Sequence, residues 1–466
     1  MIDMGGMHTR KCEAPGRRPL SDWQPEGEPA LHVVLDISRL LSSAWRGYPS
    51  GIDRVEFAYA RRWRMADDAA CSFVAQTPWG GFALVPRAVA TALLDALGGS
   101  LAEGMTNGPA HHQAKRQAAA LHARLATGAG RGALLTRIRA RPGSIFLLVS
   151  HKSLEQAAPI QALRAAGARF VPLIHDLIPI THPEYNRPRQ IEAHHRRMFV
   201  TGTMADAIIV NSAATGAAVT HHLMGMGLAP PRITVAPLGF DLPPAETIPP
   251  SPKPETPYFV MLGTIEPRKN HTLLLSLWRD MAATIGPGAP RLVILGRRGW
   301  DNEPVFRMLD RCGGYGGLVE ERGQVSDGVI ASVLGGARAL LFPSFAEGYG
   351  IPLVEALTLG VPAICSDIPA LVEVGCGVPE HLHPLDGASW RRAILDYASD
   401  HSAARAAQLA RLYQWRRPDW DAHFEITDNL LRHLVAEPRG VARQARVAAK
   451  AGPRVPQVAA PQPGMP

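Results

Sequence analysis

Glu347 and Glu355 bracket the string Glu347-Gly348-Tyr349-Gly350-Ile351-Pro352-Leu353-Val354-Glu355. The apolar run Ala339-Leu340-Leu341-Phe342 comes just before it, so the pattern predicts a buried strand, a glycine-bearing turn and a helix opened by Pro352. Such a turn and helix start can aim backbone N–H groups and the positive end of the helix dipole at an anion. Glu355 is expected on the first turn of an otherwise apolar helix, where a carboxylate needs a reason. Two carboxylates flanking a phosphate-sized site suit a ligand with both hydroxyls and phosphate, as a nucleotide-sugar has. Each glutamate alone is explained equally well as a helix cap or a loop residue. The string as a whole favours chemistry, because spacing, glycines and proline agree.

Three other strings fall at predicted strand ends. Gly263-Thr264-Ile265-Glu266-Pro267-Arg268-Lys269-Asn270 follows an apolar run and precedes a helix. Arg268 and Lys269 then sit near a positive helix end, a position that costs cations ~0.3–1 kcal/mol unless an anion joins them. Arg also suits bidentate phosphate contacts. Leu295-Gly296-Arg297-Arg298-Gly299-Trp300 ends the next strand and is read equally well as a tight turn with a packed Trp. His175-Asp176 closes the run Phe170-Val171-Pro172-Leu173-Ile174, with Asp176 able to orient the histidine or cap the segment that follows.

These strings need a scaffold that brings strand ends together. From Leu31 the chain alternates short apolar runs with helical periodicity. Strands are expected at 31–36, 82–85, 144–149, 170–174, 207–210 and 233–236, and helices at 54–64, 86–97, 110–138, 159–166 and 190–201. Ser50-Gly51-Ile52-Asp53 reads as a capping box. Pro172 weakens the expected pairing of its strand. Residues 241–257 contain seven prolines and read as a linker. Beyond it, strands at 258–262, 291–295, 317–320, 339–342 and 363–366 alternate with helices, followed by helical stretches at 390–398 and 401–434. Repeated alternation implies parallel sheets covered on both faces, and ligands at the carboxyl ends of their strands. The expected fold class is therefore α/β. Its divisions are a disordered segment 1–30, a first domain 31–240, the linker 241–257, a second domain 258–400, helices 401–437 packing back on the first domain, and a disordered tail 438–466.

Composition narrows the classes. The chain has 466 residues, 46% apolar and 19% charged, enough for two cores. No apolar run reaches the ~18 residues of a membrane span, and residues 1–30 lack the apolar core of a signal peptide. Cys12, Cys71, Cys312, Cys365 and Cys376 are scattered without metal spacing, which fits a reducing cytosol. Net charge is +8, and no acidic residue lies between Glu103 and Glu155, a stretch carrying Lys115, Arg116, Arg124, Arg131, Arg137, Arg139, Arg141 and Lys152. Such a stretch fits either a solvated face or one that meets anionic lipid or an anionic substrate. Nucleic acid fits less well, since aromatics are not interleaved and no binding motif occurs. A dinucleotide fingerprint is missing after both first strands. The D-x-D string Asp419-Trp420-Asp421 is not at a strand end, and adjacent His111-His112 and His194-His195 cannot converge on one metal.

The segment Ser344 to Glu355, with its continuation to Ser366, resembles the E-x7-E region of retaining GT-B glycosyltransferases of family 4. The likeness runs from about Asp36 to Phe424. The 263–270 and 175–179 strings look most like that family's bacterial mannosyltransferase-like branch. The resemblance implies two doubly wound Rossmann-like domains facing a cleft, with the second holding a nucleoside-diphosphate sugar. It implies donor contacts from Gly263, Thr264, Arg268, Lys269, Arg297, Glu347, Gly348, Tyr349, Gly350 and Glu355. Within these, Glu347 holds the donor sugar, Glu355 the ribose, and the basic pair the diphosphate. His175, Glu347, Arg268 and Lys269 are the expected catalytic set, and Gly47, Gly51 and Asp176 the acceptor side. Gly323-Gln324-Val325-Ser326-Asp327 and Asn211-Ser212 also match the family, though helix capping explains them sufficiently. The implied reaction is metal-independent sugar transfer, with mannose from GDP-mannose the first expectation. The implied acceptor is a glycan or polyprenyl-linked glycan in cell-surface polysaccharide or lipopolysaccharide synthesis. No cofactor is expected beyond the donor, and the expected location is cytoplasmic or peripheral to the inner face of the plasma membrane. A nucleotide-sugar epimerase and a non-catalytic sugar-nucleotide or glycan binder remain the alternatives.

Overall fold

The computed structural model describes residues 29–46, 50–103, 108–251, 256–311, 315–323 and 325–438. Most of the expected disordered ends (1–28 and 439–466), with Gly47, Gln324, Cys12 and Cys312, fall outside the described residues.

Two sheets carry the chain. The first is ordered β3-β2-β1-β4-β5-β6-β7, from β1 (His32–Asp36), β2 (Cys71–Gln76), β3 (Phe82–Val85), β4 (Ser144–Leu148), β5 (Arg169–Ile174), β6 (Ala207–Val210) and β7 (Arg232–Val235). The second is ordered β10-β9-β8-β11-β12-β13, from β8 (Tyr258–Leu262), β9 (Arg291–Leu295), β10 (Val319–Arg322), β11 (Leu340–Phe342), β12 (Ala363–Ser366) and β13 (Glu380–Leu382). Every pairing is parallel except the β2–β3 hairpin.

Side chains alternate across each pleat, and the alternation sorts them into cores. Val33 and Leu35 point to one face of the first sheet while Val34 points to the other, and Ile145 and Leu147 oppose Phe146 and Leu148 in the same way. In the second sheet Tyr258, Val260 and Leu262 oppose Phe259 and Met261. The inner faces of both sheets join one continuous cluster, which also takes in Tyr349, Leu353 and Phe424. Each fully buried large apolar side chain contributes roughly 1.5–3 kcal/mol, so the shared cluster holds the sheets against one another.

Departures from the sequence reading have local causes. Strand β2 was not anticipated. The single helix expected over 110–138 is two, Pro109–Ala126 and Arg131–Arg139. Gly130 lies between them with φ +95°, and a Cβ there would stand 2.6 Å from the Leu84 carbonyl oxygen, so β3 backbone occupies the space a longer helix would need. The stretch 401–434 is likewise two helices, Ala403–Tyr413 and Trp420–Ala436, parted near Pro418. Pro172 does not keep β5 out of the sheet interior: the strand pairs with β4 on one side and β6 on the other. Helix Pro369–Gly375 and edge strand β13 were also missed.

The final helix lies on the first sheet's half. His423 donates from Nδ1 to the Ala236 and Pro237 carbonyls at 3.1 and 3.0 Å, leaving Nε2 to accept from Tyr59 Oη at 2.7 Å. Burial holds its pKa down at about 4, so the ring is neutral and this tautomer persists.

Candidate active site at the junction of the two sheets

The loop after β8 is pinned before it presents any charge. Gly263 (φ +138°) donates its N–H to Leu295 O at 2.9 Å, Pro267–Lys269 forms a 3-10 turn, and Asn270 Nδ2 donates to Pro384 O at 2.9 Å. The turn drives Lys269 inward. Its Nζ reaches Glu347 Oε1 at 2.5 Å and lies 4.7 Å from the centre of the Phe342 ring. Arg268 reaches the same Glu347 oxygen at 2.8 Å, Glu266 at 2.5 Å, and donates to the Ala346 carbonyl. Burial alone would raise the Glu347 carboxyl; Arg268 and Lys269 outweigh it and hold its pKa below the ordinary value. Burial likewise works against the Arg268 charge, but the Glu347, Glu266 and Asp176 carboxylates hold its pKa up. The result is a buried cluster of two cations and two carboxylates at the carboxyl ends of β8 and β11.

The turn that follows Glu347 touches the other sheet. A Cβ on Gly348 would stand 2.2 Å from His175 O, so only glycine permits the approach. Gly348 O accepts from Ser212 Oγ at 2.8 Å and Thr215 Oγ1 at 3.1 Å, and Asn211 Nδ2 donates to His175 O at 3.0 Å. Gly350 has φ +101°, and a Cβ there would meet Leu371 at 2.5 Å. Helix Ile351–Thr358 then starts with no side-chain cap on its N-terminus; Pro352 has no N–H and Leu353 N–H turns back to Gly350 O at 2.9 Å, so the dipole and the backbone ahead of Pro352 are what the helix start offers an anion. The helix begins one residue earlier than expected, which moves Glu355 off the first turn.

The remaining candidate residues divide. His175 sits at the end of β5, but its ring is buried: Nε2 donates to Val149 O at 2.8 Å, and its N–H donates to His151 Nε2 at 3.2 Å. Burial lowers its pKa to about 4, so it is neutral near pH 7. What it offers the Gly348 turn is its carbonyl. Asp176 caps Ile178 N–H at 3.1 Å and contributes its charge to Arg268. Tyr349 turns its ring into the shared core and donates from Oη to Leu238 O at 2.8 Å. Gly51 packs on Ile351, its Cβ position 2.9 Å from the Ile351 side chain. Thr264 packs on Gly299, and Arg297 is exposed, its carbonyl accepting from Ile265 N–H at 2.9 Å. Gly47 lies outside the described residues.

Glu355 stands apart from the ion cluster. It lines a small pocket with Arg54, Asp327, Leu242 and Leu359. Burial raises its carboxyl to about 7, against the pull of Arg54 and Lys269. Arg54 meets Asp327 with two bonds of 2.7 and 2.6 Å, tying helix Gly51–Arg64 to helix Asp327–Gly335.

Sequence reasoning missed Glu266, the second acceptor for Arg268. It also missed Glu373, which accepts from Ala213 and Ala214 N–H at 2.7 and 3.0 Å and so caps helix Ala213–Gly225 from the other half. Glu266 lies two residues from its partner in the same string, whereas Glu373 has no local signal, since its partners are backbone N–H groups far away in sequence. Asp419 of the D-x-D string is an N-cap, accepting from Ala422 N–H at 2.7 Å.

Residues 245–376 match the family described as Glycosyl transferases group 1. An O-antigen chain mannosyltransferase B of Escherichia coli is 31% identical over 164 residues, 35% of this chain and 42% of that protein. A serotype-specific mannosyltransferase WbdA of Escherichia coli is 29% identical over 256 residues, 49% of this chain and 29% of that protein. The chain thus spans less than half the length of these relatives. Among solved structures, Anabaena Alr3699/HepE in complex with UDP-glucose matches with a TM-score of 0.55 at 14% identity, over 86% of this chain and 99% of that one. With two Rossmann-like sheets facing one another, the fold is GT-B.

Proposed function

We propose that the protein is a glycosyltransferase that moves a sugar, mannose first, from a nucleoside-diphosphate sugar to a glycan or lipid-linked glycan in cell-surface polysaccharide synthesis. The observation that carries the reading is the buried Arg268–Lys269–Glu347 cluster beside the Gly348–Gly350 turn and an uncapped helix start. The mannosyltransferase relatives support the donor sugar, and the group 1 match covers this half of the site.

In this reading the reaction is retaining, of the family 4 type, and needs no metal. The bond from the sugar's anomeric carbon to the diphosphate breaks, and its electron pair leaves with the phosphate oxygen. Arg268, Lys269 and the N–H groups near Gly348 to Gly350 neutralise that charge by preorganised electrostatics. The acceptor oxygen attacks the face the leaving group departs from, and its proton passes to the departing phosphate. Glu347 exchanges its contact with the cations for the donor sugar's hydroxyls, Glu355 holds the ribose, and the His175 carbonyl borders the sugar. No side chain is assigned as a covalent nucleophile.

The test is a thermal-shift series with GDP, UDP, ADP and dTDP sugars in EDTA, followed by product analysis with labelled GDP-mannose. Binding to the native state raises the apparent melting temperature. At least one nucleoside diphosphate is expected to stabilise the protein, and label is expected to reach an acceptor in a Lys269-dependent manner. Strict dependence on a divalent ion would overturn the metal-free reaction; label returned as an isomerised donor would make the protein an epimerase.

A further inference from the structure

The turn after Glu347 holds a backbone donor without a taker. Tyr349 is 5% exposed, yet among the described residues no acceptor receives its N–H. A buried amide left unpaired costs free energy, so a folded protein rarely keeps one without a use for it. The peptide that bears this N–H is held on both sides. The Tyr349 ring is fixed by the bond from its hydroxyl to Leu238 O. The Gly348 carbonyl oxygen accepts from two hydroxyls of the other half, Ser212 Oγ at 2.8 Å and Thr215 Oγ1 at 3.1 Å. Among the described residues no peptide bond is cis, and a trans peptide is planar with its C=O and N–H pointing in opposite directions. Fixing the Gly348 oxygen towards the first sheet's half therefore aims the Tyr349 N–H away from that half.

Each hydroxyl has one proton to give, and Gly348 O is the nearest carbonyl to both. Thr215 Oγ1 also lies 3.4 Å from His175 O, but Asn211 Nδ2 already donates to that oxygen at 3.0 Å. Ser212 and Thr215 are buried, so water does not compete for their protons. Ser212 Oγ also accepts from Thr215 N–H at 3.1 Å, a bond that uses a lone pair and leaves its proton for Gly348. The helix that starts here is capped from the second half, since Glu373 accepts from Ala213 and Ala214 N–H. The placement of both hydroxyls is thus tied to the junction, and the Tyr349 N–H is aimed only while the two halves are together.

We propose that Ser212 and Thr215 are positioning residues for sugar transfer: through the Gly348 carbonyl they aim the Tyr349 N–H at the diphosphate oxygen that leaves the sugar. The proposal rests on the transferase reading and adds two residues of the opposite half to it. As the bond from the anomeric carbon breaks, its electron pair stays on that oxygen. An N–H already pointing there stabilises the new charge without reorganising. The aiming groups belong to the half that does not hold the donor. A donor bound to the second half alone therefore lacks this contact, and its sugar–phosphate bond is activated only on closure, when water is excluded.

The test compares the full-length parent with Ser212→Ala/Thr215→Val, which removes both hydroxyls, and with Thr215→Ser, which keeps them. The ligands are whichever of GDP, UDP, ADP and dTDP stabilises the parent most, and the corresponding sugar nucleotide, titrated by calorimetry. The double variant is expected to bind the free diphosphate ~10-fold more weakly, because its terminal phosphate carries the charge that transfer releases, and the sugar nucleotide less than ~3-fold more weakly. Its kcat should fall ~10-fold or more with the donor KM nearly unchanged. Thr215→Ser should match the parent in all of these. A second measurement needs no hydroxyl variant: in parent protein labelled with 15N at its 8 tyrosines, the Tyr349 amide proton, identified by its absence from Tyr349→Phe, should move downfield when the diphosphate is added. An unmoved Tyr349 amide would overturn the proposal. So would unchanged ligand binding in the double variant, a Thr215→Ser protein that behaves like it, or equal weakening of both ligands with a raised KM, which is what a loosened junction gives. A parent that binds none of the four diphosphates would sink the transferase reading first, and this proposal with it.

Discussion

The two sheets treat buried carboxylates at their carboxyl ends in opposite ways. At the end of β8 and β11, Glu347 is held below its ordinary pKa because Arg268 and Lys269 outweigh burial. At the end of β1, burial raises Asp36 to about 6, and burial with the nearby Asp36 charge raises Glu56 to about 8. Both are almost inaccessible to solvent. Glu56 Oε1 accepts from Leu40 N–H at 2.9 Å, while Glu56 Oε2 and Asp36 Oδ2 have no hydrogen-bond partner in the structure. Lys152 is close enough to favour the Asp36 charge, but its ammonium donates to Ser38 and Ser42. Both edges are largely withdrawn from water, the Glu347 edge a little less so; what differs most is the cation supply. One edge is charged and poised for an anion, and the other stores a proton.

The largest expected effect comes from removing the cations. Lys269→Met leaves Glu347 buried with Arg268 alone, and breaking a buried pair costs about 3–5 kcal/mol. Urea denaturation should show that loss, and transfer should fall by ~100-fold or more, since charge stabilisation of the leaving group is lost. Glu347→Gln sharpens the point: it leaves Lys269 without its carboxylate and Arg268 with Glu266 alone, so a nucleoside diphosphate should raise its melting temperature more than that of the parent. An equal or smaller rise would mean the cations do not face the diphosphate.

Glu56→Gln comes next and probes the other edge. Glu56 binds its proton more tightly folded than unfolded. Its contribution is therefore fully present below pH 4.5 and is lost as pH rises towards its folded pKa of about 8. Replacing it should flatten the decline of stability between pH 5 and 8, by ~2–4 kcal/mol at the alkaline end. Parallel melting curves for the two proteins across that range would place the proton elsewhere.

Much of this scaffold was legible because parallel strands buried on both faces appear as continuous apolar runs, and the loops at their ends carry Gly, Pro and charge. The Ser50–Asp53 capping box forms in both directions, with Asp53 N–H to Ser50 Oγ at 3.3 Å and Ser50 N–H to Asp53 Oδ2 at 2.6 Å. The site was legible as a set of strings, not as a set of bonds. Arg268 and Lys269 were expected to face a phosphate and Glu347 a sugar; that all three share one oxygen depends on how β8 and β11 lie side by side. The His175 ring was expected at the site, yet its burial is decided by Val149 and His151 on the neighbouring strand end, which no local pattern reports. Asp36 looked like an ordinary strand terminus, because its raised proton affinity comes from burial under elements distant in sequence.

Glu355 lies between the two cases, since burial raises it to about 7 while Arg54 and Lys269 pull against that. If its carboxylate holds the ribose, donor affinity should rise as pH passes from 6 to 8. Glu355→Gln should remove that rise, measured as KM for the donor at each pH. A pH-independent KM in the parent protein would detach Glu355 from donor binding.

The smallest effect belongs to the contact that joins the two edges. Arg54 and Asp327 form a bidentate pair, but their side chains are 32% and 31% exposed, so water screens it. A double-mutant cycle with Arg54→Ala and Asp327→Ala should return a coupling of about 1 kcal/mol or less in stability. Its influence on the site should be larger than its influence on folding. The pair links helix Gly51–Arg64 to helix Asp327–Gly335, and Asp327 also raises Glu355. Asp327→Asn removes that repulsion and should lower the pH at which donor affinity rises, while Arg54→Gln removes an attraction and should raise it. Shifts in the same direction from both variants would show that they act by loosening the junction, and the electrostatic account of Glu355 would fail.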